Sequence, residues 1–190
     1  MKLPIPTIDL LRHGDTGFTG FRGSLDDALT PLGWQQMEQA VLKKDWDVLI
    51  SSPLLRCSAF AQKLTSRLNI ELCFDERLVE LHFGEWEGKT AAELMQSDAD
   101  ALQSFWQDPA MFPPPNGETM QAFSARVLQA WQEIQQQYAG QHTLVVTHGG
   151  VIRLILCHTH GLPLNSSLSL EVLHGSLHVI DPNNEEQDRQ

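Results

Sequence analysis

The segment "DLLRHGDTGFTG", residues 9–20, places an arginine, a histidine and a glycine directly after a short apolar run. The run from Ile5 to Leu11 is typical of a buried strand, and the chain then turns at His13 and Gly14. Open α/β sheets bind their ligands at the carboxyl ends of the strands. The segment therefore predicts a strand that delivers Arg12 and His13 to a binding site.

The same order of strand, turn and helix recurs along the chain. In "WDVLISSPLLRC" a strand over Val48–Ile50 precedes a helix that we expect Ser52 to cap and Pro53 to open. In "HTLVVTHGGVIRL" a strand delivers His148 to the start of another helix. Strands that alternate with helices predict an α/β fold, a three-layer α/β/α sandwich with a mostly parallel central sheet.

Other segments fit this architecture. Thr30 and Pro31 have the spacing of a helix cap and first turn, and "TAAE" at 90–93 has capping-box spacing. Apolar residues recur every three or four positions from Met120 to Tyr138, which predicts a long helix. Further expected elements are a strand at Ile70–Phe74 and one or two closing strands in "SLSLEVLHGSLHVID".

We expect residues 1–190 to form a single domain, because a chain of 190 residues can bury one sizeable core. The stretch at about 84–117 has few strand signals and contains Pro113, Pro114 and Pro115, which cannot continue a helix. This stretch is predicted to be a helical and proline-rich insertion.

Composition limits the classes of partner. Thirteen Lys and Arg against 24 Asp and Glu give a net charge of -11, which opposes nucleic acid and anionic membranes as partners. The first nine residues do not resemble a secretory signal, and no apolar segment approaches membrane-spanning length. We therefore expect a cytoplasmic protein that binds a small molecule, and we draw no expectation for its oligomeric state.

The cysteines and histidines give no pattern for a metal site. Cys57, Cys73 and Cys157 are scattered and odd in number, which is typical of reduced thiols in the cytoplasm. The pairs His158/His160 and His174/His178 lack a carboxylate or cysteine at the spacing of metal ligands. We predict neither a metal nor a cofactor.

Two arginines and two histidines fall where strands end and helices begin: Arg12, His13, Arg56 and His148. Guanidinium groups bind a phosphoryl group through forked hydrogen bonds, and helix amino termini add amide donors. When arginines neutralise the phosphate, a neutral imidazole becomes a credible nucleophile. His13 is the stronger candidate, because it lies in a tight turn between Arg12 and a glycine. His148 would hydrogen-bond the equatorial oxygens.

Four ordered motifs, "LLRHGDT", "SSPLLRC", "RLVELHFGEWEG" and "VVTHGG", resemble those of the histidine phosphatase superfamily, the phosphoglycerate-mutase-like proteins. The resemblance covers roughly residues 5–155. It implies a phosphohistidine on His13, catalytic roles for His148 and Glu80, and proton transfer by Glu80 in a reaction without a metal. It also implies phosphate contacts from a wider set: Arg12, Arg56, His148, Arg22, Thr19 and Gly149. Thr19 stands where many members have asparagine, which has the longer reach.

Within this superfamily, "FRGSLDDALTPLGWQQM" is similar to α-ribazole phosphatases, which remove the 5′-phosphate from a nucleotide-loop precursor of cobalamin. The alternatives are a broad-specificity sugar or nucleotide phosphatase, a phosphoglycerate mutase and a catalytically silent phosphate-binding domain. Mutases carry a basic inserted segment, whereas residues 90–117 contain neither Lys nor Arg, so hydrolysis is favoured. A silent domain is disfavoured because the chain keeps the nucleophile and the arginines.

Aromatic residues flank the motifs: Phe18, Phe21, Phe83 and Trp86. They could stack on a flat base, although aromatic side chains near a site more often form its core or wall. We therefore favour the core or wall interpretation.

Overall fold

A five-stranded mixed sheet forms the centre of the protein. The computed structural model describes residues 7–180. The strands are β1 (Thr7–Arg12), β2 (Val48–Ser51), β3 (Glu71–Phe74), β4 (His142–Thr147) and β5 (Leu177–Ile180). Their order is β3-β2-β4-β1-β5, and β5 alone in this sheet is antiparallel to its neighbour. The predicted mostly parallel sheet is confirmed.

Helices cover both faces of this sheet. The helices are α1 (Pro31–Ala40), α2 (Leu55–Leu68), α3 (Ala91–Ser97), α4 (Ala99–Gln107), α5 (Met120–Gln137) and α6 (Gly149–Thr159). Alternate strand residues enter two separate cores: Leu10 packs with residues of α5 and α6, whereas Leu11 packs with residues of α1 and α2. This alternation follows from the two-residue period of a strand, and it confirms the three-layer α/β/α architecture.

Strand register aligns three carboxyl ends at one edge of the sheet. Arg12 of β1 pairs with Thr147 of β4, and Ser51 of β2 pairs with Val146 of β4. The backbone of His13 continues this pairing by donating to the carbonyl of Thr147 at 2.9 Å. The residues that follow β1, β2 and β4 therefore meet in space, although they are far apart in the sequence.

Local helix signals identify two helix starts correctly. The Thr30 hydroxyl accepts a hydrogen bond from the Gly33 amide at 3.0 Å, and α1 begins at Pro31 as predicted. Thr90 and Glu93 form the expected capping box of α3. In both helices the signal is complete within four residues, so no tertiary contact is needed to place the start.

One expectation about an element boundary is wrong. Helix α2 begins at Leu55, not at Pro53, and its cap residue Leu54 offers no side-chain acceptor. The hydroxyl of Ser52, the expected cap, lies 2.8 Å from the Nε2 atom of His148, so a tertiary contact competes for it. The expectation of one or two closing strands is met by β5, which is preceded by a 3-10 helix over Leu164–Ser169. Residues 5 and 6 of the first expected strand lie outside the described residues.

The region between β3 and α5 consists of short 3-10 turns, two helices and a loop. It contains the 3-10 turns Glu76–Leu78 and Gly84–Trp86, followed by α3 and α4. A proline-rich loop over 108–119 separates α4 from α5, as the prolines predict. That 84–117 is an insertion into a single domain stays a prediction.

Candidate active site

His13 lies at the carboxyl edge of the sheet with its ring almost fully buried, 7% exposed. Its Nδ1 atom is 2.8 Å from the carbonyl oxygen of Gly14. Because a carbonyl only accepts, Nδ1 carries the proton and Nε2 keeps a free lone pair. Burial, and then the charge of Arg56, hold the pKa of His13 well below its ordinary value. The ring is therefore neutral and its Nε2 is nucleophilic.

The turn after His13 packs against helix α1 at a distance that excludes a side chain. A Cβ atom on Gly14 would lie 2.1 Å from the carbonyl oxygen of Gly33 in α1. Glycine is required at this position by the close approach of the two backbones.

Arg56, in the first turn of α2, is 1% exposed and hydrogen-bonds both a neighbouring loop and the ring of His148. Its terminal nitrogens donate to the carbonyls of Leu25 (2.6 Å) and Gly23 (2.8 Å). Its Nε atom donates to Nδ1 of His148 at 3.2 Å. The guanidinium thus joins the 22–25 loop to the amino end of α6.

His148 is the cap residue of α6 and its ring centroid lies 5.2 Å from that of His13. Because Arg56 can only donate, Nδ1 of His148 accepts, and Nε2 carries the proton that faces the Ser52 hydroxyl. Burial first, and then the charge of Arg56, lower the pKa of His148 well below its ordinary value. A second neutral imidazole therefore faces the first.

Arg12 extends from the end of β1 toward a loop near the carboxyl end of the chain. It donates to the carbonyl of Val172 at 2.6 Å and to Nε2 of His174 at 2.9 Å. Within residues 7–180 its buried Nε atom has no hydrogen-bond partner. Burial lowers the pKa of Arg12, Glu80 opposes this, and Arg153 and Arg56 add to the lowering. The guanidinium retains an unused donor at the site.

Glu80 reaches the amino end of α6 with both carboxylate oxygens engaged. One oxygen accepts from the amide of Leu81 and the other from the amide of Gly150, each at 2.9 Å. The carboxyl lies so close to α6 that a Cβ atom on Gly150 would stand 2.3 Å from it. Glu80 is therefore held beside His148 by backbone amides.

Arg22 and Thr19 occupy less direct positions. Arg22 forms a forked ion pair with Asp27, and its guanidinium lies 4.4 Å over the ring of Phe18. Its carbonyl accepts from Arg56 at 3.2 Å, so its backbone supports that arginine. Thr19 is exposed. Phosphate contacts from these two side chains stay predictions.

Gly149 lies under two guanidinium groups. A Cβ atom there would be 3.2 Å from Nε of Arg12 and 3.1 Å from Nη1 of Arg153. Gly149 thus leaves space for the cationic side of the site, and its predicted phosphate contact remains untested.

The sequence patterns missed four neighbours of the site: Ser52 as a partner of His148, His174, Arg153 and Arg126. Arg153 follows Gly149 by four residues, a spacing that places both on one face of α6 and could have identified it. Arg126 of α5 donates to the Glu80 carbonyl at 3.0 Å, a long-range contact without a sequence signal. Burial lowers the pKa of His174 to about 4, so it too is neutral beside Arg12.

The buried thiol of Cys57 is a poor nucleophile, although its sulphur lies 3.8 Å from Nε2 of His148. Burial raises its pKa to about 12, which keeps it protonated near neutral pH. Among residues 7–180, no group of three or more His, Cys, Asp or Glu side chains could hold a metal ion. No helix in the same range is both long and apolar enough to cross a membrane.

Comparisons with known proteins identify one family. The sequence model of the histidine phosphatase superfamily (branch 1) matches residues 8–189. The adenosylcobalamin/alpha-ribazole phosphatase of Escherichia coli K12 is 30% identical over 92% of this chain and 89% of its own. The glucosyl-3-phosphoglycerate phosphatase of Mycolicibacterium vanbaalenii is 32% identical over 83% of this chain and 75% of its own.

Solved structures agree on the fold. The alpha-ribazole phosphatase of Shigella flexneri superimposes with a TM-score of 0.81 at 29% identity, covering 94% of this chain and 92% of that one.

Proposed function

Because the chain belongs to the histidine phosphatase superfamily, we propose that it hydrolyses small-molecule phosphate monoesters through a phosphohistidine on His13. The observation that carries this proposal is the neutral His13 ring, whose Nδ1 proton is fixed on Gly14 while Nε2 stays free. The guanidinium groups of Arg12 and Arg56 supply fixed positive charge around that ring.

In the first step the arginines and Gly149 hold the phosphoryl group. The Nε2–H of His148, which faces the Ser52 hydroxyl in the free protein, turns to donate to a phosphoryl oxygen. Nε2 of His13 attacks phosphorus in line, the N–P bond forms and the bond to the alcohol oxygen breaks. Protonated Glu80 gives its proton to the departing oxygen. The fixed guanidinium charge stabilises the transferring phosphoryl group, so the proposed chemistry uses no metal.

In the second step water hydrolyses the phosphohistidine. The Glu80 carboxylate accepts a proton from the attacking water, the N–P bond breaks, and inorganic phosphate leaves. His13 returns to its neutral form and Glu80 to its protonated form. The position of this carboxyl beside α6, where the amides of Leu81 and Gly150 donate to it, supports its role as the proton acceptor in this step.

The phosphohistidine can be tested by chemical trapping. We expect denatured enzyme, quenched during turnover, to carry acid-labile and base-stable phosphate on His13, and we expect His13→Ala to abolish both label and turnover. His158→Ala, a histidine exposed on α6, is the matched control and should keep both. Unchanged turnover in His13→Ala overturns the proposal. Bound phosphate without release of p-nitrophenol from p-nitrophenyl phosphate would instead favour the silent domain.

For the substrate we propose α-ribazole 5′-phosphate as the first candidate, in the nucleotide-loop branch of cobalamin synthesis. Support comes from the motif "FRGSLDDALTPLGWQQM" and from two α-ribazole phosphatases that share about 30% identity. A relative of similar identity is a glucosyl-3-phosphoglycerate phosphatase, so identity alone does not choose the ester. We also propose a cytoplasmic location for this reaction, with which the free thiols of Cys57, Cys73 and Cys157 are consistent.

Specificity constants measured side by side decide the substrate. We expect kcat/KM for α-ribazole 5′-phosphate to exceed that for glucosyl-3-phosphoglycerate, 3-phosphoglycerate and common sugar phosphates. A flat profile would favour the broad-specificity phosphatase. Conversion of 3-phosphoglycerate to 2-phosphoglycerate would favour the mutase, which the absence of Lys and Arg from residues 90–117 disfavours.

A further inference from the structure

An aromatic cavity of about 200 Å³ opens beside Glu80 and Gly150. Glu80 is the carboxyl that we assign to protonation of the leaving group, so the cavity lies where the alcohol part of a phosphate ester must go. Most of its lining is apolar and includes Phe21, Phe83, Phe105, Trp106, Phe123 and Leu168.

One wall of this cavity is held in place by the hydrophobic core. The ring of Phe83 meets Phe21 edge to face at 5.0 Å and Phe105 at 6.5 Å. Phe105 and Phe123 are buried members of the core that also packs against the sheet. Because these rings are already ordered, a flat apolar group that enters the cavity loses little free energy to reorganisation of its wall.

The rim of the cavity is also apolar, but unlike the buried wall it is exposed to water. Trp106 of α4 is 47% exposed and Leu168 is 41% exposed, although both are large apolar residues. A bound apolar group would remove their surface from water, which is favourable in proportion to the area covered. Two exposed apolar side chains beside a catalytic carboxyl are therefore explained by an apolar ligand.

Charged groups in the lining are confined to the side that faces α6. They are Glu80 and Arg153, and Arg153 also lies against Gly149. The rest of the lining adds two polar side-chain groups, the Ser167 hydroxyl and the indole N–H of Trp106, among mostly apolar and aromatic residues. A polyhydroxylated alcohol would therefore lose more hydrogen bonds to water here than the lining can replace.

We infer that this cavity binds the alcohol part of the substrate and selects phosphate esters of bulky, flat apolar alcohols over those of small polar ones. Trp106 and Leu168 are specificity-determining residues at its rim. This inference rests on the proposed phosphatase activity of His13 and names the class of ester which that activity takes.

The test compares two esters in the same variants. Trp106→Ala should lower kcat/KM for 1-naphthyl phosphate about tenfold and that for glycerol 1-phosphate less than about twofold. Each ester is compared with itself, so differences in leaving-group reactivity cancel. Leu168→Ser should shift the ratio in the same direction, and it replaces Trp106→Ala if that variant misfolds. Leu32→Ala, which removes an apolar side chain 54% exposed on α1, is the matched control and should change neither value.

A binding measurement separates this inference from the proposed function. By calorimetry, 1-naphthylmethylphosphonate should bind more tightly than methylphosphonate, and Trp106→Ala should remove most of that difference. Equal losses for both esters, or an unchanged difference between the phosphonates, overturn the inference and leave phosphatase activity intact. Failure to hydrolyse either ester, with the phosphonate difference preserved, would overturn the proposed function alone.

Discussion

Gly150 gives the carboxyl of Glu80 the space to reach the amino end of α6. A Cβ atom at this position would lie 2.3 Å from Oε1 of Glu80, so Gly150→Ala must displace the carboxyl. Misplacing a proton donor by about 1 Å can cost up to about 100-fold in rate. We expect kcat to fall about 10- to 100-fold while the affinity for inorganic phosphate changes little, measured by steady-state kinetics and calorimetry.

The neighbouring glycine is the matched control. In Gly149→Ala the new Cβ atom presses on Arg12 and Arg153, not on Glu80, so we expect weaker phosphate binding as the larger effect. If Gly150→Ala keeps the parent kcat, the close approach of Glu80 has no role in catalysis.

At the scale of elements, helix α5 positions the segment that carries Glu80. Arg126 donates to the carbonyls of Arg77, Val79 and Glu80, and Glu118 holds its guanidinium by a forked ion pair. Arg126→Ala leaves these carbonyls without a donor. We expect kcat to fall about tenfold or more and the free energy of unfolding to fall by about 1–3 kcal/mol. Steady-state kinetics and urea unfolding measure the two effects.

Arg67 of α2 provides the comparison for Arg126. It also forms an ion pair, with Glu38, but its contacts lie on the surface away from the site. Arg67→Ala should leave kcat unchanged and cost less than about 1 kcal/mol of stability. If both variants lose kcat equally, or Arg126→Ala keeps it, the segment around Glu80 does not depend on α5.

Elements were predictable where their signals are local. Thr30 and Thr90 cap helices within four residues of chain, and the strand and helix periods gave the layers of the fold. The start of α2 was mispredicted because the Ser52 hydroxyl faces His148, 96 residues away.

The residues of the candidate site were likewise predictable only where their signals are local. The arginines and histidines at strand ends were identified from their positions, whereas Glu80 was assigned only through family resemblance. The contacts of Arg126 with a distant turn, and the pairing of Arg22 with Asp27 across a loop, have no periodic signal. Such contacts depend on the assembled fold.

At the scale of the whole molecule, the two cores together bury a site whose histidine side chains resist protonation. His13, His148 and His174 lie among Arg12 and Arg56, and burial is the largest cause of the lowered pKa of each. The fold therefore keeps three imidazoles neutral where the unfolded chain can protonate them. The neutrality that suits His13 for nucleophilic attack is thus linked to stability.

This linkage predicts a loss of stability in mild acid. Above the ordinary histidine value of 6.5, the three rings are neutral in both states and contribute nothing to the pH dependence. Below it the unfolded chain binds protons that the folded chain does not, so the free energy of unfolding falls as pH falls. Each ring contributes at most about 1.4 kcal/mol per pH unit, and the contribution of His174 levels off near its folded pKa of about 4.

Urea unfolding between about pH 7.5 and about pH 5 measures this slope, in a window above the acid range where carboxylates dominate. The glutamine in His174→Gln can still accept from Arg12 but does not titrate. We therefore expect the slope of its unfolding free energy against pH to correspond to up to one bound proton fewer than in the parent. His158→Gln, which replaces an exposed histidine, should keep the parent slope. A free energy of unfolding that stays constant or rises as the pH falls from about 7.5 to about 5 would contradict the neutral state of the buried histidines. It would also contradict the availability of Nε2 of His13 as a nucleophile.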